Sequence, residues 1–213
     1  MGDTYSANSL KLLDKDPEAF KLKYGEGIFL NPDNSSAKAG QNLHSFLCFY
    51  LKGFDMGKIE ASFSKKDREF IENIKEFDAV KTLKNAGKKD IEQPFLIRCT
   101  KEGEQEFYLT GRFDAVLRLD NKSGGNNCSV NDGNVGNLYG VEIYDWKTVN
   151  IPKNPEDDIQ TVVYLYAASK LYKTQNVSVT YVSLSKNESK TVCFDQSYNY
   201  LSKIEDIVQK AEQ

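Results

Sequence analysis

The sequence predicts an α/β fold: a central mixed β-sheet flanked by helices, with a helical segment at the N-terminal end. Helical periodicity dominates the chain up to about residue 87, and short apolar segments of strand character begin near residue 95. One further helical pattern separates the middle strands from the last two strands. Helices, strands, a helix and strands in this order are typical of an α/β sandwich around one sheet.

Two short predicted strands carry the charged residues that organise the chain. After Gly111-Arg112, alternation places Phe113 and Ala115 on one face and Asp114 on the other. In the strand that begins at Val141, the same period of two places Asp145 and Lys147 on one side. If Asp114 lies on the neighbouring strand, two carboxylates and one ammonium group meet in a small volume.

Such a cluster has two interpretations. Two close carboxylates repel each other unless a cation lies between them, which is the logic of a divalent metal site for phosphodiester cleavage. The acids would hold the metal, and the lysine would orient water and offset developing negative charge. An isolated D-x-K is more often a solvated pair on a surface strand, so the neighbouring motifs must decide.

Helix boundaries follow from capping residues and from the i, i+3, i+4 spacing of apolar side chains. The predicted helices begin at or near Ser6, Ala39, Ser64, Asn154 and Asp195. Asp16-Pro17 divides the first into two pieces, the second ends at Gly53, and the third runs to about Gly87.

His44, the only histidine, falls within the second of these helices. Helical spacing puts it on the same side as Gln41 and Cys48, at the border of the apolar stripe. A lone helical histidine is more often an interior residue than a metal ligand. Imidazole also suits Mn²⁺ and can complete a carboxylate site, so both interpretations stay open.

Composition and charge are those of a globular protein. The 213 residues are 39% hydrophobic and 28% charged, and we expect residues 1–213 to form a single domain with a substantial core. The net charge of −3 argues against binding nucleic acid by bulk electrostatics, so any contact must be local or pass through a metal. No membrane-spanning run or signal-peptide pattern is present, so we expect no membrane contact and a cytoplasmic location.

A polar segment and the cysteines complete the sequence-based expectations. Residues 121–137 are rich in Gly, Asn and Ser and are predicted to form a mobile loop between two hairpin strands. The four cysteines are Cys48, Cys99, Cys128 and Cys193. They lack C-x-x-C spacing and are expected to be free thiols in a reducing compartment.

Five segments, taken in order, resemble the PD-(D/E)XK nuclease superfamily, in particular its RecB-type exonuclease branch. Asp16-Pro17-Glu18-Ala19-Phe20 is similar to the N-terminal segment of that branch, and His44 falls on the helix that carries its metal-binding histidine. Gly111-Arg112-Phe113-Asp114 resembles its G-x-x-D strand, and Tyr144-Asp145-Trp146-Lys147-Thr148 resembles its D-Y-K-T strand. Gln160-Thr161-Val162-Val163-Tyr164 resembles its Q-x-x-x-Y helix. The resemblance covers most of the chain and implies a restriction-endonuclease-like core.

The resemblance also implies roles for individual residues. The implied ligands for Mg²⁺ or Mn²⁺ are His44, Asp114, Asp145 and the backbone carbonyl of Trp146. Lys147 would be the catalytic lysine. Gln160 and Tyr164 would contact DNA or support the site, and plain packing of their helix is the alternative.

The chain departs from the branch at several positions. Phe113 stands where the superfamily name has proline, and Trp146 replaces the usual tyrosine at a position that should face away from Asp145. Some members hold an iron–sulfur cluster through one N-terminal and three C-terminal cysteines. Asp16 takes the place of the first of these, and Cys193 is alone in the C-terminal region. We therefore expect no iron–sulfur cluster.

Three functions compete at this point. The resemblance implies a metal-dependent nuclease that hydrolyses DNA phosphodiesters, acting as an exonuclease on single strands or ends in repair, recombination or defence. It would work with protein partners in such a complex, because the chain contains no helicase motor. A non-catalytic nucleic-acid-binding module that keeps the nuclease fold is the second hypothesis, and a structural or interaction protein is the third. The intact set of Asp114, Asp145 and Lys147 favours the enzyme.

Overall fold

A six-stranded mixed sheet lies between two layers of helices in the computed structural model, which confirms the predicted fold class. The structure describes residues 3–28, 35–61, 63–100, 106–119, 140–148 and 150–211. The strands are β1 (Asp3–Tyr5), β2 (Lys89–Cys99), β3 (Phe107–Leu119), β4 (Gly140–Lys147), β5 (Val177–Ser183) and β6 (Glu188–Cys193). The helices are α1 (Ala7–Lys15), α2 (Pro17–Phe20), α3 (Ser35–Lys52), α4 (Gly57–Ala61), α5 (Lys65–Lys75), α6 (Asp78–Asn85), α7 (Ile159–Tyr172) and α8 (Tyr200–Val208). No helix among the described residues is long and apolar enough to cross a membrane.

Strand β3 is the centre of the sheet. One of its edges pairs with antiparallel β2 from Cys99↔Phe107 to Lys89↔Leu117. The other edge pairs with parallel β1 at residues 107–109 and with antiparallel β4 at residues 115–119. Beyond β4, the sheet continues through parallel β5 to antiparallel β6. The edge of β3 between β1 and β4 is thus left open beside Asp114, and this opening positions the site.

Two hydrophobic cores cover the two faces of the sheet. Core A, against α1, α7 and α8, contains buried residues such as Leu10, Leu109 and Val163. Core B, against α3, α5 and α6, contains residues such as Leu47 and Leu83. Burial of apolar side chains on both faces stabilises the sheet, at roughly 25 cal/mol per Å² of apolar surface removed from water.

The β2–β3 hairpin changes faces partway along its length. Phe113 lies in core A, whereas Ala115 lies in core B and Val116 lies again in core A. The prediction that Phe113 and Ala115 share a face is therefore wrong. On β2 the same change occurs, because Phe95 belongs to core A and Ile91 packs against core B. Strict alternation fails because the backbone of β2 is distorted between these two positions, as described below.

Helix boundaries differ from the predictions in ways that local capping explains. Helix α3 begins at Ser35 rather than Ala39, and the third predicted helix is two helices, because the extended backbone of Phe77 separates α5 from α6. Helix α7 is capped by Asp158 and α8 by Asn199, whose side chains accept backbone N–H groups. Neither Asn154 nor Asp195 is therefore the cap. The Ser6 cap and the break at Asp16-Pro17 are confirmed.

The cysteines differ in state. Cys48 and Cys99 are free, as expected, but Cys193 is in a disulfide. The prediction of a free thiol at Cys193 is wrong because spacing along the sequence does not decide which cysteines meet in space. Cys128 and the predicted loop at residues 121–137 lie outside the described residues.

Candidate active site

The site begins where β3 and β4 separate. The last backbone pair before the site joins Ala115 to Tyr144, and the next residues, Asp114 and Asp145, face each other across the gap. The Asp114 side chain closes this gap, because its Oδ2 accepts the backbone N–H of Trp146 at 2.9 Å. The Asp114 carboxylate therefore takes the place of a backbone carbonyl as hydrogen-bond acceptor at the point where the pairing of β3 with β4 ends.

Lys147 and Gln160 hold the second carboxylate. Gln160 Nε2 donates to Asp145 Oδ1 at 2.7 Å, and Lys147 Nζ donates to Gln160 Oε1 at 3.0 Å. Lys147 Nζ also lies 2.7 Å from Asp145 Oδ2. This contact has the distance of an ion pair but not the angles of a hydrogen bond, so Oδ2 is buried without a hydrogen-bonding partner. Burial raises the pKa of Asp145, and Asp114 adds to the rise while Lys147 opposes it.

His44 reaches the site from the other helical layer. Helix α3 packs on core B, and His44 Nδ1 lies 3.4 Å from Asp114 Oδ1. Burial lowers the pKa of His44, but the hydrogen bond and charge of Asp114, together with Asp145 and the Trp146 backbone, outweigh it and raise the pKa overall. Gly40 permits this approach, because a Cβ there would meet the Thr148 methyl at 3.3 Å.

Tyr164 supports the backbone beside the acids. Its side chain is buried, and its hydroxyl donates to the carbonyl oxygen of Arg112 at 3.1 Å. Its ring packs edge-on against Phe113 and Phe95, with ring centroids 5.1 and 6.1 Å away. Burial, followed by the charges of Asp145 and Asp114, raises the pKa of Tyr164. The hydroxyl therefore stays a neutral donor.

A cleft of about 900 Å³ brings the predicted site residues together. It is lined by Asn8, Gly40, Gln41, His44, Ser45, Cys48, Phe49, Lys52, Glu92, Arg112, Asp114, Asp145, Trp146, Lys147, Thr148, Gln160 and Tyr164. All seven residues singled out from the sequence are in this list. The Trp146 ring, however, packs in core B, which agrees with its predicted orientation away from Asp145.

The lining residues that the sequence analysis did not assign to the site include Arg112 and Glu92. Arg112 Nε forms an ion pair with Glu92 Oε2 at 2.5 Å, and both residues border the cleft beside Asp114. Arg112 was visible as the second residue of the G-x-x-D segment. The position of Glu92 carried no signal, because polarity does not reveal the backbone conformation that brings it here.

The carboxylates of the site contact other protein groups and are not arranged as a complete set of metal ligands. Among the described residues, no three His, Cys, Asp or Glu side chains already converge as a metal-binding group. His44, Asp114 and Asp145 instead contact one another or neighbouring polar groups. A metal would have to replace some of these contacts.

The fold and this cleft define a restriction-endonuclease-like α/β protein. The family model of the PD-(D/E)XK nuclease superfamily matches residues 4–213, and the chain belongs to that superfamily. Its members are nucleases that generally use divalent metals such as Mg²⁺ or Mn²⁺. The chain therefore has the fold of a nucleic-acid-cleaving hydrolase.

Comparison with individual proteins supports the fold and nothing further. The solved structure of SSO0001 superimposes with a TM-score of 0.50 at 15% identity, covering 100% of this chain and 76% of that one. At this identity the likeness concerns the fold alone. No curated protein matches the sequence.

Proposed function

We propose that the protein is a metal-dependent deoxyribonuclease of the RecB-type branch, acting as an exonuclease on single-stranded DNA or DNA ends. One observation carries the proposal: the Lys147 ammonium is held between Asp145 and Gln160 in a cleft that also contains Asp114. A solvated surface pair would not be fixed by a buried amide that contacts both charged groups. Partners in repair, recombination or defence belong to the same proposal.

The side chains fit a hard divalent cation. Asp145 Oδ2 is buried without a hydrogen bond, with the Lys147 ammonium 2.7 Å away, and Asp114 Oδ1 lies 3.4 Å from His44 Nδ1. Carboxylate oxygens suit Mg²⁺ and Mn²⁺, and imidazole suits Mn²⁺. His44, Asp114, Asp145 and the Trp146 carbonyl would hold the ion. When bound, it would polarise the phosphate and make a bound water more acidic. No iron–sulfur cluster is part of this proposal.

The residues around the acids have distinct roles. Lys147 would orient the attacking water and offset the negative charge that grows on the phosphate oxygens in the transition state. Gln160 fixes Lys147 and Asp145 relative to each other through its two hydrogen bonds. Tyr164 holds the strand that carries Asp114 through the carbonyl of Arg112. Both Gln160 and Tyr164 therefore act as supports of the site, because each is largely buried.

Cleavage of end-labelled DNA tests the function. Wild type should degrade labelled single strands with Mg²⁺ or Mn²⁺ and be inactive in EDTA, and a double-stranded substrate with blocked ends would separate end-dependent from internal cleavage. Asp145→Asn should abolish turnover. Binding without cleavage under every metal would instead establish the non-catalytic module, and internal cleavage of the blocked duplex would contradict the exonuclease assignment.

Metal binding should depend on Asp114. In calorimetric titrations, wild type should bind Mn²⁺, and Asp114→Ala should bind it much more weakly because one carboxylate is lost. Asp114→Asn is a useful companion, since an amide oxygen can still accept the Trp146 N–H. Asp90→Ala is the control, because Asp90 is on the same hairpin but pairs with Arg118 outside the cleft. Equal Mn²⁺ affinity in all four proteins would remove Asp114 from the metal site.

A further inference from the structure

Arg112 lines the cleft, and the roles proposed for Asp114, Asp145 and Lys147 do not account for its contacts. It precedes Asp114 by two residues on β3, and its side chain is 65% exposed. Its backbone is held by the Tyr164 hydroxyl, and its guanidinium is held by Glu92. Because its backbone carbonyl and its guanidinium are both held while the side chain stays exposed to solvent, Arg112 is positioned to bind a ligand.

Glu92 reaches Arg112 only through an unusual backbone conformation. Its φ is 61°, in the left-handed region that non-glycine residues rarely adopt. The other described non-glycine residues with positive φ are Lys173, at the end of α7, and Asn187, in the β5–β6 turn. Both lie where the chain reverses direction, whereas Glu92 is in the middle of β2. Strain of this kind persists where the surrounding structure requires it, and it concentrates at functional sites.

The position of Glu92 connects this strain to the site. The register of β2 and β3 places Glu92 opposite Asp114, between the pairs Ile91↔Ala115 and Gln93↔Phe113. It is also the point at which the hairpin exchanges its faces between core A and core B. The left-handed residue therefore delivers a carboxylate to the cleft and, opposite it, leaves Asp114 directed toward the Trp146 N–H and His44.

We propose that Arg112 binds a backbone phosphate of the nucleic acid and that Glu92 is the positioning residue that holds it for this contact, an inference that rests on the proposed function. A guanidinium has five N–H donors in a fixed fork, so contact with Glu92 at Nε leaves donors for phosphate oxygens. Planar, bidentate contact with phosphate is the recognition for which arginine is better suited than lysine. In a cleft that contains Glu92, Asp114 and Asp145, such a cation offsets the repulsion that a polyanion meets.

The same hairpin contains a matched control. Arg98 has the same exposed fraction, 65%, and the same 2.5 Å ion pair, here with Glu106. Neither of these residues borders the cleft, and neither has a left-handed backbone. Arg98→Ala therefore removes an equivalent charge and ion pair from the same pair of strands.

The first test measures binding without cleavage. Anisotropy of a labelled single-stranded oligonucleotide in EDTA, at several salt concentrations, should show about tenfold weaker binding for Arg112→Ala. The slope of log affinity against log salt should fall by about 0.7, the loss of one phosphate contact on a single strand. Arg98→Ala should bind like wild type apart from a small general effect of charge. Circular dichroism confirms that each variant is folded.

The second test asks whether Glu92 acts through Arg112. Glu92→Gln should weaken oligonucleotide binding about threefold in wild type, because Arg112 loses the partner that holds it. In the Arg112→Ala background the same change should only remove the repulsion between Glu92 and the phosphates, so binding should become slightly tighter. An equal effect in both backgrounds, or tighter binding in both, would show that Glu92 acts independently, and it would overturn the positioning role.

The outcomes also separate this inference from the proposed function. If Arg112→Ala and Arg98→Ala bind equally well, or if wild type does not bind at all in EDTA, the phosphate contact is refuted even where wild type cleaves DNA. If Arg112→Ala alone loses binding but wild type cleaves nothing with any metal, the nuclease proposal fails and the phosphate site stands as part of a binding module.

Discussion

Lys147 is the residue whose replacement best distinguishes a nuclease from a non-catalytic binding module. Its charge is needed when negative charge builds on the phosphate, so its removal should affect the transition state more than the bound substrate. Lys147→Ala should lower kcat by a hundredfold or more, on the order of 3 kcal/mol, with little change in DNA affinity in Ca²⁺. Single-turnover cleavage together with binding assays measures both quantities.

Two further variants sharpen this prediction. Lys147→Arg should not restore activity, because a planar guanidinium cannot replace a compact ammonium between Asp145 and Gln160. Lys190→Ala is the control, since Lys190 is an exposed lysine on β6 with a 3.9 Å contact to Glu156. If Lys147→Ala cleaves as fast as wild type, the chain keeps its superfamily but the active site proposed here is wrong.

Cys48 and Cys99 should differ in how their reactivity depends on pH. Burial raises the pKa of Cys99 to about 11, whereas Cys48 borders the cleft one helical turn from His44. Only the thiolate reacts, so Cys99 should remain unmodified by iodoacetamide at pH 8 and react as the pH approaches 11 or on unfolding. Peptide mapping by mass spectrometry under native and denaturing conditions distinguishes the two sites. Rapid native labelling of Cys99 at pH 8 would contradict its burial.

Some residue positions follow from sequence because strand geometry fixes them. Asp145 and Lys147 had to share a side of β4, and the structure places both in the cleft. The place of His44 in the site was harder to predict. Helical spacing gives the side of α3 on which it lies, but not what that side packs against. Glu92 could not be found, because a positive φ in a residue with a side chain is not encoded in polarity or periodicity.

At the scale of single elements, Gly111 shows why the G-x-x-D strand needs a glycine. A Cβ at Gly111 would lie 2.5 Å from Cζ of Phe95, whose ring is buried and stacked on Phe113 at 4.7 Å. The ring has no room to withdraw, so Gly111→Ala should destabilise the fold by about 1–3 kcal/mol. Urea titration followed by circular dichroism measures the loss.

The chain supplies a matched glycine for comparison. A Cβ at Gly87 would meet nothing within 4 Å, so Gly87→Ala should change stability by no more than about 0.5 kcal/mol. Equal stability of the two variants would mean that Phe95 moves more freely than its packing indicates.

Elements were easier to predict than their ends. The apolar pattern gave α7, but four polar residues before it offered several caps, and the turn at residues 154–157 left Asp158 as the actual one. Similarly, the apolar positions of α5 and α6 continue the same stripe, so periodicity could not show that Phe77 interrupts the helix. Local hydrogen bonding decides such ends, and composition does not record it.

At the scale of the whole molecule, we propose that residues 1–213 form one domain whose two cores unfold together. The cores share the sheet, and both β3 and β4 contribute to each. Leu10→Ala in core A and Leu83→Ala in core B should each cost about 2–5 kcal/mol, because both side chains are fully buried. Each should shift one common urea transition.

The only tryptophan makes this prediction measurable. Trp146 is buried in core B, so its fluorescence reports that core, whereas far-ultraviolet circular dichroism reports all helices. In Leu10→Ala the two signals should shift together. A shift of the dichroism alone would mean that core A unfolds separately, and it would contradict the one-domain proposal.

The exchange of faces at Glu92 and Asp114 has a consequence for recognising related sites in other sequences. The positions of β3 that face core A change from odd to even numbers across Asp114: Leu109 and Phe113 precede it and Val116 follows it, and all three are fully buried. The spacing of three between Phe113 and Val116 breaks the strand period of two at the acid. In a related sequence whose catalytic residues have been substituted, this shift in the apolar spacing would still mark the position of the cleft.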